Sequence, residues 1–173
     1  MTHHIQMKDV ALMHTICDIC KIDFTAHSFN LLCNTLEGGN IFYTKISNAS
    51  KYDDTEGIVK HVTKYLHYIN PNDKWSWIMD FDDFGIKHTL GLNTGIQLSK
   101  LINRFGKLKY LFVINTNVFV EQMLSMIKLT LNKEYHNCIV FLNKNDKFKK
   151  EILEDWKILD NNKHYLQSVF KEL

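Results

Sequence analysis

The sequence contains one arginine, Arg104, one proline, Pro71, and four cysteines in 173 residues. A single arginine leaves almost no bidentate clamp for phosphate. A net charge of +2 is too small to indicate a nucleic-acid partner, and none is expected. No apolar run approaches the ~18 residues of a membrane-spanning helix, and the opening MTHHIQMKDV has no apolar signal-peptide core, so the expected setting is cytoplasmic. The sequence also lacks GxxxxGKS or GxxxxGKT, GxGxxG, GxSxG and HExxH. An enzyme would therefore have no phosphate cradle, nucleophile or metal-binding helix to work with, and no catalytic residue or cofactor is expected.

What is present fits one ordinary domain over residues 1–173, with 45% hydrophobic content and about 70% of its unfolded surface open to burial. Cys17, Cys20, Cys33 and Cys138 read as reduced thiols. Cys17 and Cys20 form a CxxC near His3, His4 and His14, from which a metal site can be drawn. Structural zinc usually needs a second close pair, however, and the other cysteines are solitary, so no metal is expected.

Along the chain, Val10, Met13, Cys17 and Cys20 keep helical spacing over Met7 to Cys20. Ser28 to Leu36 is a further apolar segment, and Gly38-Gly39-Asn40 opens a strand over Ile41 to Ile46. Tyr52 to Glu56 supplies cap residues ahead of a helical face from Ile58 to Ile69, which ends before Pro71. A central strand follows in KWSWIMDFDDF, Lys74 to Phe84, apolar on both of its faces. Asp82 and Asp83 at its end stand where α/β sheets place ligand sites, although such residues are more often turn formers or caps. Asn93-Thr94 caps a helix that Gly106 stops, Tyr110 to Ile114 is a second buried strand, and Asn117 caps a helix from Val118 to Leu131. Cys138 to Leu142 is a third strand, and the remainder to Leu173 has helical spacing. Strands alternating with helices imply an α/β sandwich with a largely parallel sheet.

The helix VFVEQMLSMIKLTL is apolar around most of its circumference, where a surface helix ordinarily shows one stripe. It is either buried on two sides, or it shields an apolar ligand on one side and meets a membrane on the other. Its methionines suit an adaptable apolar surface.

WSWIMDFDDFGIKH, followed by LKYLFVINTNVFVEQMLSMIKLTLNKEYHNCIVFL, resembles the C-terminal half of the CRAL-TRIO lipid-binding domain, the fold of phosphatidylinositol transfer proteins and of tocopherol and retinal carriers. The resemblance runs from Asn40 to Leu142, with 1–39 as a short N-terminal segment and 143–173 as C-terminal helices; the family's amino-terminal helical domain is expected to be absent. It implies a CRAL-TRIO-like α/β sandwich, with a sheet floor, an apolar cavity above it, flanking helices, and an apolar gate helix at Val118 to Leu131. The implied ligand-binding residues are Trp77 and Met79 on the central strand and Phe84, Ile86 and His88 after it. Phe112 and Ile114 on the second strand and Phe119, Met123, Leu124 and Ile127 on the gate complete the set. A sixteen-carbon chain carries about 12 kcal/mol of hydrophobic free energy at ~0.8 kcal/mol per methylene, so a carrier must enclose it behind a movable wall.

The departures from the family pattern are specific. A family glutamate falls on Gly106, a proline on Asn117, the lysine that opens the last strand in inositide-binding relatives on Cys138, and a turn threonine on Tyr135. These changes remove a cation and a hydroxyl from the places where such relatives hold an inositol phosphate. The expected activity is binding, with intermembrane transfer, of a lipid or other small hydrophobic molecule, with transient peripheral membrane association. Lys144, Lys147, Lys149 and Lys150 are candidates to meet an anionic surface. The alternative is a non-enzymatic interaction scaffold that keeps the fold without a cavity, and a metal-dependent enzyme ranks third.

Overall fold

The computed structural model describes residues 17–34, 39–69, 71–88 and 91–142. The lysines of NKNDKFKK, the C-terminal helical expectation and most of the Met7 to Cys20 helix lie outside them. Within the described part, five strands form one sheet in the order β1 (Asn30–Asn34), β2 (Asn40–Lys45), β3 (Trp75–Asp80), β4 (Leu108–Ile114) and β5 (Ile139–Leu142). β1 is antiparallel to β2, and every other neighbouring pair is parallel. The Ser28 to Leu36 segment thus supplies an edge strand.

Short α1 (Asp18–Ile22) precedes β1, while α2 (Thr55–Tyr68), α3 (Gly91–Phe105) and α4 (Val118–Lys128) cross between successive parallel strands. Sequential strand order with right-handed crossovers puts all three crossover helices on one face. The core reflects this arrangement. Val62, Tyr65 and Leu66 from α2, Leu98 and Ile102 from α3, and Val120, Met123 and Leu124 from α4 pack with Phe42, Trp75, Trp77, Leu111 and Val113 of the sheet. The other face carries a smaller cluster of Cys33, Ile41, Ile78, Phe112, Ile114 and Leu142.

Local chemistry sets the helix starts. Asp54 accepts from Gly57 N at 2.9 Å and Asn117 from Val120 N at 3.0 Å, each satisfying an amide that the helix leaves open. α3 begins at Gly91, ahead of the Asn93-Thr94 expected from sequence, and α4 ends at Lys128 rather than Leu131. The acidic end of β3 is a turn. Asp80 accepts from Asp82 N, Asn115 Nδ2 and Tyr43 Oη, and Asp82 pairs with Lys45 at 2.8 Å, so these carboxylates are held by structural partners. No helix among the described residues is long and apolar enough to cross a membrane.

Candidate functional site

Between the helix-covered sheet face and α2, α3 and α4 lies a hollow of about 660 Å³ of atom-free space, its open mouth included. The room in which the centre of a water-sized sphere moves is about 80 Å³. Trp77, Met79 and Phe81 form the floor; Ile58, Val62 and Leu98 wall it from α2 and α3; and Met123, Leu124 and Ile127 close it from α4. None of the lining residues is Asp, Glu, Lys or Arg.

Several polar side chains around it are partnered with protein, whereas His27 Nε2 is buried without a hydrogen-bond partner. Trp77 Nε1 donates to Thr44 Oγ1 at 2.8 Å, Thr55 and Thr94 share a hydroxyl bond at 2.7 Å, and Ser28 Oγ accepts from Lys45 N. Polar groups satisfied in this way leave an apolar surface facing the space.

The residues expected at the site fall in three places. Trp77, Met79, Met123, Leu124 and Ile127 line the hollow. Phe84 and His88 lie just beyond the end of β3, outside the lining; their rings stack at 5.1 Å, and His88 Nδ1 accepts from Gly85 N at 2.9 Å. His88 is buried, and desolvation followed by the Lys87 charge lowers its pKa, which makes it a poor cation for a headgroup. Ile86 belongs to a 3-10 turn, Ile86–His88, and its side chain is outside the described ones.

Phe112 and Ile114 require a correction. They pair in register with Ile78 and Asp80, so the pleat turns them to the opposite sheet face, away from the hollow. Phe119 is 46% exposed and points out of α4.

Sequence reasoning missed His27, Phe29, Tyr52 and His61, which complete the wall on the N-terminal side. His27 and Phe29 lie before the stretch that carried the resemblance, Tyr52 and His61 lie within it but outside its two quoted motifs, and a histidine at helical spacing has no signature of its own. Behind this wall the thiols of Cys17 and Cys20 meet His27 and His61, all four buried. The three earlier histidines considered with the CxxC lie outside the described residues. Burial, then the neighbouring Cys17, pushes the Cys20 thiol up to about 11, and burial pulls His27 below its ordinary value.

The candidate headgroup positions are apolar or structural. Cys138 Sγ lies 3.8 Å from the carbonyls of Leu108 and Glu134, either of which can accept its one S–H, and it is outside the lining, while Tyr135 is packed in the main core.

The sequence matches the CRAL/TRIO domain family over residues 40–157. The chain belongs to that family, whose domains bind lipids or other small hydrophobic ligands and are typically not enzymes. The crystal structure of Sfh5 is similar, with a TM-score of 0.54 at 9% identity. The match covers 72% of this chain and 50% of the Sfh5 chain, so the present chain spans half of that protein's length. The mostly parallel sheet with flanking helices is the fold expected from sequence. No curated protein matches the sequence.

Proposed function

We propose that the protein binds one lipid or comparable hydrophobic molecule in the hollow between the sheet and α2 to α4, and exchanges it with a membrane by displacement of α4. The carrying observation is a hollow walled without charged side chains and closed by a helix that exposes four large apolar side chains on its outer side, with Gln122 the polar residue among them. Val118, Phe119, Met126 and Leu129 are exposed; at ~100° per residue they fall within about 100° of helix arc. Val120, Met123, Leu124 and Ile127 occupy the inner arc. An outer apolar face of this kind suits transient contact with a bilayer.

The space free to a water-sized sphere is smaller than an acyl chain needs. Uptake of a long chain therefore requires α4 to move outward, as a movable wall does. The same small volume is the observation on the side of a scaffold without a ligand. Native mass spectrometry of the full chain purified from cells, with lipid extraction, separates the two readings. A one-ligand adduct with an extractable hydrophobic molecule supports the carrier. A bare mass that stays bare after incubation with lipid vesicles supports the scaffold.

The headgroup expectation rests on the family pattern, whose lysine position is taken by Cys138, a residue outside the lining of the hollow. A neutral thiol offers no charge-assisted hydrogen bond, an interaction worth roughly 1.5–3 kcal/mol, or more than tenfold in affinity. Phosphoinositides are therefore expected to compete no better than phosphatidylcholine of equal chain length, and Cys138→Lys is expected to improve them selectively. A clear preference of the unmodified protein for a phosphorylated inositol lipid contradicts this reading.

A further inference from the structure

Two sulfurs and two ring nitrogens converge beside the hollow. Cys17 Sγ lies 3.6 Å from His27 Nδ1, and Cys20 Sγ lies 3.7 Å from His27 Nδ1 and 3.5 Å from His61 Nδ1. All four atoms fall within 4.8 Å of one another. With Zn–S near 2.3 Å and Zn–N near 2.0–2.1 Å, a tetrahedron separates its sulfur and nitrogen corners by about 3.6 Å. The three sulfur-to-nitrogen separations of 3.5–3.7 Å match edges of such a tetrahedron, and the remaining three lie within 4.8 Å.

Hydrogen bonding among the protein groups accounts for this arrangement only in part. Both thiols approach the same nitrogen of His27, and a neutral imidazole nitrogen has one lone pair to offer. The opposite nitrogen, Nε2, is buried without a hydrogen-bond partner and faces the Asp54 carboxylate at 3.7 Å. His61 Nε2 is 2.9 Å from the Phe29 carbonyl, the contact that leaves Nδ1 unprotonated and turned toward Cys20. A carboxylate and a carbonyl behind the two rings are the outer partners that metal-binding histidines use.

Other ties hold this segment to its surroundings: an exposed Lys64–Asp18 pair at 3.2 Å joins α2 to α1, and the Ser50 and Lys51 amides bond the Thr25 and Ala26 carbonyls. α1 has five residues, too few to persist alone. It packs through a satellite cluster of Cys17, Cys20 and Ala26 with Ile19, while Ile22 and Phe24 on the same segment are exposed. The CxxC puts one sulfur at the N-cap and the other one turn later, so both face α2.

We infer that Cys17, Cys20, His27 and His61 form a structural zinc site that fastens α1 to α2. Two thiolates and two imidazoles in tetrahedral array are a zinc donor set, and four protein ligands leave no open position for catalysis. Because His27 and His61 also line the hollow, the metal fixes the wall opposite α4.

The test uses the full chain expressed with supplemental zinc and purified without chelator. Elemental analysis is expected to give one zinc per chain. Replacement by cobalt is expected to give the intense visible bands of a tetrahedral ion with sulfur-to-metal charge transfer. Cys20→Ser and His61→Gln should each lose most of the bound metal, whereas Cys33→Ser, at the solitary buried thiol, should keep it. Should the ligand variants not fold, the metal count and cobalt spectrum of the unmodified protein decide. Substoichiometric metal in folded protein, metal fully retained in the Cys17→Ser/Cys20→Ser double variant, or a Cys17–Cys20 disulfide after anaerobic purification would overturn the assignment. None of these readouts depends on lipid binding.

Discussion

Gly57 sits where three requirements meet. Its amide is capped by Asp54, and a Cβ there would overlap the Asp54 carboxylate and come within 3.0 Å of His27 Nε2. Alanine ordinarily gains up to ~1 kcal/mol over glycine within a helix. Here Gly57→Ala displaces the cap, which costs about 1 kcal/mol, and crowds the second nitrogen of His27. A net loss of stability by urea unfolding is therefore expected, and a gain would show that the carboxylate swings aside without cost. His88 gives a second residue-scale expectation. Its pKa in the folded chain lies below the ordinary 6.5, so the unfolded chain takes up the proton first. Stability is intact above about 6.5 and falls as pH drops below it, until the folded-state value is passed. Urea midpoints of His88→Gln should vary less between pH 7.5 and pH 5.5 than those of the unmodified protein, and equal slopes would count against His88 as a source. At this scale the sequence was readable for caps, as at Asn117. It was silent about His61, which reaches Cys20 across 41 residues of chain. Spacing rules see ligands that are close in sequence, whereas this contact exists only once α2 packs on the sheet.

α4 is the element on which the functional reading depends. Its apolar circumference admitted two accounts, and the structure separates the helix into a buried inner arc and an exposed outer one. Phe119 and Met123, equivalent by helical spacing, therefore differ. Phe119→Asp alters a half-exposed position and should change stability by no more than about 0.5 kcal/mol, while vesicle association falls. Met123→Asp buries an unpaired carboxylate and should cost about 4 kcal/mol or more. Thermal unfolding and vesicle sedimentation of both variants check the pair, and equal losses of stability would place Phe119 inside the core. Gly95 permits the close approach of α3 to α4, since a Cβ there would meet the Ile127 side chain. The elements themselves were legible because β3 and β4 are rich in apolar residues on both faces and α2 has a clear face. The error at Phe112 and Ile114 arose from the same feature. A strand buried on both sides has no polar alternation to tell its faces apart, and only the register with β3 fixes them.

For the molecule as a whole, strand order follows chain order from β1 to β5, so the three crossover helices gather on one sheet face and the hollow forms beneath them. The stretch from β3 through α4 to β5 carried enough pattern for the fold. The hollow's far wall, built from the loop before β1 and from α2, did not, because its residues reach the hollow from separate parts of the chain. If this hollow admits an apolar chain, Trp77 on its floor reports on it directly. In Trp156→Phe protein, a sixteen-carbon fatty acid brominated along its chain, titrated below its micelle concentration, is expected to quench tryptophan fluorescence saturably at one ligand per protein. Trp77→Phe should remove a large part of that quenching. Quenching that rises without saturation, or none at all while the native mass stays that of the bare chain, would contradict the account.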